Sequence, residues 1–252
     1  MSALQTSRYE LKYLITESQA DAIRQLVETR LVPDEHSNGS AIGYRVRSLY
    51  LDSRDLACYN ETQSGQKNRF KLRIRFYDDA PDTAVYLEIK RRVTNVILKS
   101  RAAVSRSDAE LLLRGASPSA AMLINDNAKE RQSLREFCQL RDRLGAAGKV
   151  FVDYYRQAYE SRGGNQYRVT FDRNVRGSDY LIGSGLVMPP RSQMSKIEGV
   201  ILEMKYLDRP ASWMIDFSRR FGLKPQSVPK YVECVDVLQP TTWSNSGAFT
   251  SG

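Results

Sequence analysis

The stretch KNRFKLRIRFYD, residues 67–78, places a basic side chain at every second position from Lys67 to Arg75. The side chains between these cations are apolar, namely Phe70, Leu72, Ile74 and Phe76. Successive side chains of a β-strand point to opposite faces, so this alternation predicts a strand with one cationic and one apolar face. Like charges two residues apart lie roughly 7 Å from each other and repel by about 2 kcal/mol at an effective dielectric near 20. A row of cations therefore predicts an anion that offsets the repulsion.

The same alternation recurs in six further segments of strand length. They are RYELKY, YLEIKRR, ILKSRAAV, YYRQAYES, QYRVTFDR and VILEMKYL. Three of them place a glutamate two residues before a lysine, at Glu10, Glu88 and Glu203. Amphipathic segments such as TESQADAIRQLVETRLV, residues 16–32, lie in the gaps and predict helices. Strand mostly followed by strand favours an antiparallel sheet in one α+β domain. We expect this domain to span residues 1–240, with 241–252 as a flexible C-terminal tail.

Two arrangements of these strands are open. The charged face could be the solvated side of a half-exposed antiparallel sheet. Alternatively, the strands close into an antiparallel β-barrel, with the charges lining the lumen and the helices packed outside. Periodicity does not distinguish an inward from an outward face. Long cations dominate the charged faces and amphipathic helices are present to cover the apolar ones, which weighs against the solvated sheet, but the pattern alone leaves both arrangements open.

Composition narrows the class of partner. The 252 residues carry a net charge of +9, which predicts nucleic acid, an acidic membrane surface or a phosphate-rich small molecule as partner. A nucleic-acid binder would interleave aromatic residues with its cations, whereas here the apolar residues fall on the opposite face, so we expect no nucleic acid. No stretch reaches the length of an integral membrane segment.

The cysteines and the single histidine have no predicted role in chemistry. Cys58, Cys138 and Cys234 lack metal-ligand spacing and are typical of reduced thiols in an intracellular protein, so we expect a cytoplasmic location. His36 lies in a polar loop and is interpreted as a solvated side chain.

Phosphate chemistry explains both kinds of charge in the pattern. Arginine and lysine donate charge-assisted hydrogen bonds to phosphate oxygens. Carboxylates of Glu10, Glu88 and Glu203 are hard oxygen ligands suited to Mg²⁺ or Mn²⁺. Metal and guanidinium together stabilise the charge that develops during phosphoryl transfer. The pattern therefore predicts a clamp for a triphosphate.

Eight segments carry a resemblance to a known family. In order, they are RYELKY, YRVRSLYLD, KNRFKLRIRFY, YLEIKRR with ILKSR, YYRQAY, YRVTFDR, ILEMKY with Pro210 and Trp213 after it, and SVPKYVEC. This ordered set resembles the triphosphate tunnel metalloenzyme superfamily, and more closely the polyphosphate polymerase domain of the vacuolar transporter chaperone (VTC) family. The resemblance implies a closed antiparallel β-barrel with a charged lumen and helices packed outside, so this is the fold that we predict. It also implies binding of ATP and inorganic polyphosphate in this cationic tunnel. It also implies metal-dependent transfer of the ATP γ-phosphate to a growing polyphosphate chain.

The pattern and the resemblance together assign candidate residues. The expected catalytic residues are Lys12, Arg73, Arg75, Lys90 and Lys230. The expected substrate-binding residues are Arg47, Lys71, Lys99, Arg101, Arg156, Arg168, Lys205 and Ser227. The expected metal ligands, for Mn²⁺ or Mg²⁺, are Glu203, which resembles the metal-binding glutamate of the family, with Glu10 and Glu88.

One departure from the superfamily pattern bears on the activity. The wider superfamily has two glutamates before the lysine of the first strand, and Arg8 stands at the first of these positions. This favours a polymerase-like activity over hydrolysis. A triphosphatase of the same fold and a non-catalytic polyphosphate-binding module remain the alternatives.

Overall fold

The computed structural model describes residues 8–37, 40, 42–94, 96–163 and 166–238. The predicted C-terminal tail, 241–252, lies outside these residues. The elements follow in the order β1 (Arg8–Ile15), α1 (Glu17–Glu28), β2 (Val32–Pro33), β3 (Tyr44–Asp52), α2 (Ala57–Gln63), β4 (Arg69–Phe76), β5 (Val85–Val93), β6 (Val96–Val104), α3 (Arg106–Leu113), α4 (Ala128–Leu144), β7 (Ala147–Glu160), β8 (Tyr167–Asp179), β9 (Gln193–Met194), β10 (Val200–Leu207), α5 (Ser212–Arg220) and α6 (Lys230–Leu238). This mixture agrees with the predicted α+β class.

The strands form one curled antiparallel sheet. Their order is β2-β7-β3-β4-β5-β6-β1-β10-β8-β9, and β7 also pairs with β8. Long ladders join most neighbours, but within the described residues β1 and β6 share only the pair Arg8–Ile97. The prediction of a closed barrel is wrong at this position, because one residue pair does not join two strands along their length. The sheet is a curled, incompletely closed barrel.

The helices α3 and α4 cover the outer, convex face of one half of this sheet. Leu72 and Ile74 of β4 are fully buried and pack in one cluster with Leu134 and Phe137 of α4. These strand residues are the apolar members of the alternating stretch. Burial of such side chains is worth about 1.5–3 kcal/mol each and orients the strand. The cations of β4 consequently point to the concave face.

The helices α1 and α5 cover the other half in the same way. The helix α1 begins after Thr16, whose hydroxyl accepts a hydrogen bond from the Gln19 amide at 3.2 Å. The Gln19 side chain accepts one from the Thr16 amide at 3.0 Å in return, which completes a capping box. Ile23 and Val27 then pack against Leu202 and Met204 of β10.

The helix α6 departs from the predicted arrangement, in which all helices lie outside. Tyr231 and Val235 pack against Tyr154 of β7 and Val46 of β3, whose side chains point to the concave face. Gly177 of β8 permits this approach, because a Cβ there would lie 2.8 Å from the Cβ of Cys234. One helix therefore fills part of the space that the curled sheet encloses.

Candidate functional site

The concave face encloses a cavity of about 930 Å³. Among the described residues, its lining contains thirteen lysines and arginines but only five aspartates and glutamates. The cations are Lys12, Arg69, Lys71, Arg73, Arg75, Lys90, Arg92, Lys99, Arg101, Arg156, Arg168, Lys205 and Lys230. The carboxylates are Glu10, Asp34, Glu35, Glu160 and Glu203. This excess of positive charge suits an anionic ligand.

Most of the predicted site residues lie in this lining, Ser227 included, but two do not. Arg47 lies on the same side of β3 as the buried Leu49 and Leu51, and its guanidinium pairs with Asp79 at 2.7 Å. Arg47 therefore lies apart from the other predicted substrate-binding residues, outside the cavity lining. Glu88 is fully buried behind the cavity wall.

Glu88 is the centre of the first ionic cluster. Its carboxylate lies 2.7 Å from a terminal nitrogen of Arg73 and 2.6 Å from Lys99 Nζ. Burial alone would raise the pKa of Glu88, but Arg73, Arg75 and Lys99 hold it well below its usual range. Glu88 is thus an ionised counter-ion for the cations that face the cavity.

Arg75 is the least neutralised member of this cluster. Its side chain is 8% exposed and Nε lies 3.9 Å from Glu88. Within the part of the chain that the structure describes, Nε has no hydrogen-bond partner, while a terminal nitrogen donates to the Tyr154 hydroxyl at 3.3 Å. A buried donor without an acceptor costs about 1–3 kcal/mol, so this guanidinium is suited to a bound anion.

Glu203 is the centre of a second ionic cluster. Its carboxylate lies 2.8 Å from Lys205 and 3.1 Å from Lys12, and 3.3 Å from Lys230 at the start of α6. Burial would raise the pKa of Glu203, yet these ammonium groups hold it well below its usual range. The second cluster therefore stays ionised and ties β1, β10 and α6 together.

Asp172 completes the second cluster from β8. Arg156 donates two hydrogen bonds to its carboxylate, at 2.6 and 2.7 Å, and Lys230 Nζ lies 2.7 Å from the same group. Bidentate arginine–carboxylate pairs are geometrically specific as well as strong. They hold the Arg156 guanidinium in a fixed orientation at the cavity wall.

The candidate metal ligands do not form one site. The described ranges contain no group of three or more histidine, cysteine, aspartate or glutamate residues arranged to hold a metal ion. Glu10 and Glu203 nevertheless share Lys12, which lies 3.1 Å from each. Mg²⁺ and related ions are commonly held by one or two carboxylates together with substrate phosphates. Glu10 and Glu203 fit that pattern, whereas Glu88 lies in the separate cluster of Arg73 and Lys99.

Comparison with known protein families identifies the family of the chain that forms this cavity. A family model described as the VTC domain matches residues 7–239. The chain belongs to the VTC domain family. Its alternating strands, from β1 to β10, all lie within the matched range.

Comparison of the VTC domain with other known protein sequences and structures does not indicate its activity. No curated protein sequence matches it significantly. A crystal structure of a "putative adenylate cyclase" from Bacillus halodurans is 12% identical, with a TM-score of 0.48, covering 88% of this chain and 93% of that one. A second "putative adenylate cyclase", from Vibrio parahaemolyticus, is 12% identical, with a TM-score of 0.44, covering 92% and 98%. Likenesses of this extent carry no argument about activity.

The structure also places tyrosines and a histidine in the cavity of this VTC domain. The Tyr50 hydroxyl accepts a hydrogen bond from Arg73 at 3.1 Å, and Tyr44, Tyr77 and His36 line the cavity as well. The predicted separation of aromatic residues from the cations is therefore wrong here. Tyr44 and Tyr50 are at even-numbered positions of β3, whereas Arg47 and the core leucines are at odd-numbered positions and so lie on the other face. The positions of these leucines were the sequence signal that could have placed the two tyrosines on the cavity face.

None of the helices that the structure describes in this VTC domain combines the length and apolar composition that a membrane span requires.

Proposed function

We propose that this VTC domain is a metal-dependent polyphosphate polymerase that binds ATP and inorganic polyphosphate in its cationic cavity. The observation that carries the proposal is the excess of cations that line one cavity, thirteen against five carboxylates among the described residues. Phosphate oxygens supply the missing negative charge and accept charge-assisted hydrogen bonds from these cations. Membership of the VTC domain family supports the same ligand class.

In this proposal, different groups of cations bind different phosphates of the ligand. Arg73, Arg75 and Lys99 form a wall that binds the transferred phosphate and its neighbours. Lys12 of β1 and Lys90 of β5 are each within about 3.2 Å of Glu10, and Lys90 is opposite Lys99 in the β5–β6 ladder, so these two lysines bind the phosphates next to this wall. The remaining proposed phosphate-binding residues are Lys71, Arg101, Arg156, Arg168, Lys205, Ser227 and Lys230.

The proposed reaction requires no nucleophile from the protein. A terminal oxygen of polyphosphate attacks the γ-phosphorus of ATP, the bond to the β,γ-bridging oxygen breaks, and ADP and a chain longer by one phosphate are formed. Catalysis then consists of alignment and of charge stabilisation by fixed cations. A divalent ion held by Glu203 and Glu10 would neutralise charge on the phosphate oxygens when bound.

Two further features are part of the proposal. Residues 1–240 act as one domain, since the clusters join side chains from β1 to α6. The domain works in the cytoplasm, where ATP is available.

The test is incubation of the protein with ATP and Mn²⁺ or Mg²⁺, followed by gel separation of phosphate chains and measurement of orthophosphate. Long chains support the proposal. Orthophosphate without chains indicates a triphosphatase, and polyphosphate binding without turnover indicates a binding module. Lys90→Ala is expected to abolish chain synthesis, whereas Arg114→Gln, directly after α3, where the side chain is 67% exposed, is expected to leave it unchanged.

A further inference from the structure

Three aromatic rings form a cluster at one end of the cavity, which we call the aromatic mouth: His36, Tyr44 and Tyr77. The His36 ring stacks on Tyr77 with centroids 4.9 Å apart and lies 5.4 Å from Tyr44. All three residues line the cavity. The His36 side chain remains 42% exposed, so the stack ends in a ring that an incoming ligand can reach.

The charges around the aromatic mouth differ from those of the rest of the cavity. Asp34, Glu35 and Glu160, three of the carboxylates in the described lining, lie here. Asp34 accepts hydrogen bonds from the Tyr44 hydroxyl at 3.0 Å and from Arg168, which also pairs with Glu160 at 2.5 Å, while the Glu35 side chain is 85% exposed and available to a ligand. Carboxylates repel phosphate but accept hydrogen bonds from hydroxyl and amino groups. This mouth suits the uncharged, aromatic part of a ligand.

The opposite end of the same strands is cationic. Arg69 and Arg92 are opposite each other in the β4–β5 ladder and both line the cavity. No carboxylate of the described residues forms an ion pair with either one, and Arg92 donates instead to the Thr94 carbonyl at 2.8 Å. From Arg69 to Tyr77 the chain advances eight residues, which corresponds to roughly 26 Å of strand. The two ends of the cavity are thus chemically distinct and far apart.

We infer that the aromatic mouth binds the nucleobase and ribose of the nucleotide, so that the triphosphate enters the cavity from the Tyr77 end. This inference rests on the proposed function. Arg75 is two residues before Tyr77 on β4, which places its guanidinium within reach of the phosphates of a base stacked at the mouth. The polyphosphate chain then extends toward Arg69 and Arg92 at the cationic end.

The experiment compares ATP with inorganic tripolyphosphate, which has the same phosphates but no nucleoside. Stacking of a base on an aromatic side chain is strong enough to measure by alanine substitution. His36→Ala is expected to weaken ATP binding about tenfold, or about 1.4 kcal/mol, while tripolyphosphate binding changes less than about twofold. Isothermal titration calorimetry gives both affinities.

Matched variants keep the result interpretable. Tyr9→Ala removes another exposed, stacked ring, 5.6 Å from Tyr206 and outside the cavity lining, and is expected to change neither affinity. Tyr77→Leu is a second variant of the mouth with the same expectation as His36→Ala. Arg92→Gln is expected to weaken long-chain polyphosphate binding and spare ATP.

The possible results of these titrations distinguish a failure of this inference from a failure of the proposed function. Equal weakening of ATP and tripolyphosphate by both mouth variants, or unchanged ATP binding, overturns the inference while the phosphate site survives. Absence of binding of either ligand to the unaltered protein overturns the inference and the proposed function together.

Discussion

Nε of Arg75 lies 3.9 Å from the carboxylate of Glu88, too far for a hydrogen bond, although both groups are buried. The guanidinium is therefore charged and only partly compensated. Such a donor destabilises the empty protein and becomes favourable when an anion binds.

Replacement of Arg75 should weaken binding of the ligand without lowering the stability of the empty protein. Arg75→Gln is expected to weaken tripolyphosphate binding by about 10- to 100-fold, because a charge-assisted hydrogen bond is worth about 1.5–3 kcal/mol. The free energy of unfolding of the empty protein should stay the same or increase, since a poorly paired buried charge is removed. Calorimetric titration and thermal melting test this, with Arg114→Gln as control. Unchanged affinity would exclude Arg75 from the phosphate site.

Removal of the counter-ion should have the opposite effect on stability. Glu88→Gln leaves Arg73 and Lys99 without their buried carboxylate, and loss of one partner of such a pair costs about 3–5 kcal/mol. Chemical denaturation should show this loss, and saturating tripolyphosphate should restore part of it. The control is Asp21→Asn on α1, outside the cavity lining, whose side chain is 62% exposed. A Glu88→Gln protein as stable as the unaltered one would contradict the counter-ion role.

Lys71 is expected to make ligand binding depend on pH, together with Lys99 and Lys90, whose pKa values burial lowers to about 7 and about 8. Burial, with the nearby charges of Lys90 and Lys12, lowers the pKa of Lys71 to about 7. The empty folded protein therefore binds fewer protons than the unfolded chain between about pH 7 and the ordinary lysine pKa of about 10.4, so its stability should rise with pH in that interval. A bound phosphate favours the charged amine. Tripolyphosphate affinity should accordingly fall as pH increases from 7 to 9.

The pH effect has a direct measurement. Calorimetric titrations at pH 8 in buffers of different ionisation enthalpy should show proton uptake on tripolyphosphate binding. Lys71→Met should reduce the uptake. Identical proton uptake in this variant would assign the effect to another group.

Glu203 is expected to affect metal binding more than phosphate binding. Glu203→Gln removes one of the two carboxylates that share Lys12, so Mn²⁺ affinity in the presence of tripolyphosphate should fall about tenfold or more. Metal-free tripolyphosphate binding should change less, because Lys12 and Lys230 keep Glu10 and Asp172 as partners and lose a competing anion. Electron paramagnetic resonance of Mn²⁺ distinguishes the two effects. Normal Mn²⁺ affinity in the variant would remove Glu203 from the metal site.

Alternation along single strands was sufficient to predict much of this molecule. Leu72 and Ile74 are buried against helices while Arg73 and Arg75 line the cavity, as the period of two requires. The same rule placed the cations of β5 and β10 on one face, because a strand with one apolar side buries that side wherever the helices lie.

Only the tertiary structure decided which face of β3 lines the cavity. Cations in YRVRSLYLD favoured the side of Arg47, but Leu49 and Leu51 on that side are buried in the core beneath the helices, so Tyr44 and Tyr50 face the cavity. The open seam between β1 and β6, the entry of α6 into the concave face and the stacking of His36 on Tyr77 likewise join residues distant in the chain. Local periodicity determines the two faces of each strand, whereas long-range packing determines which of them encloses the cavity.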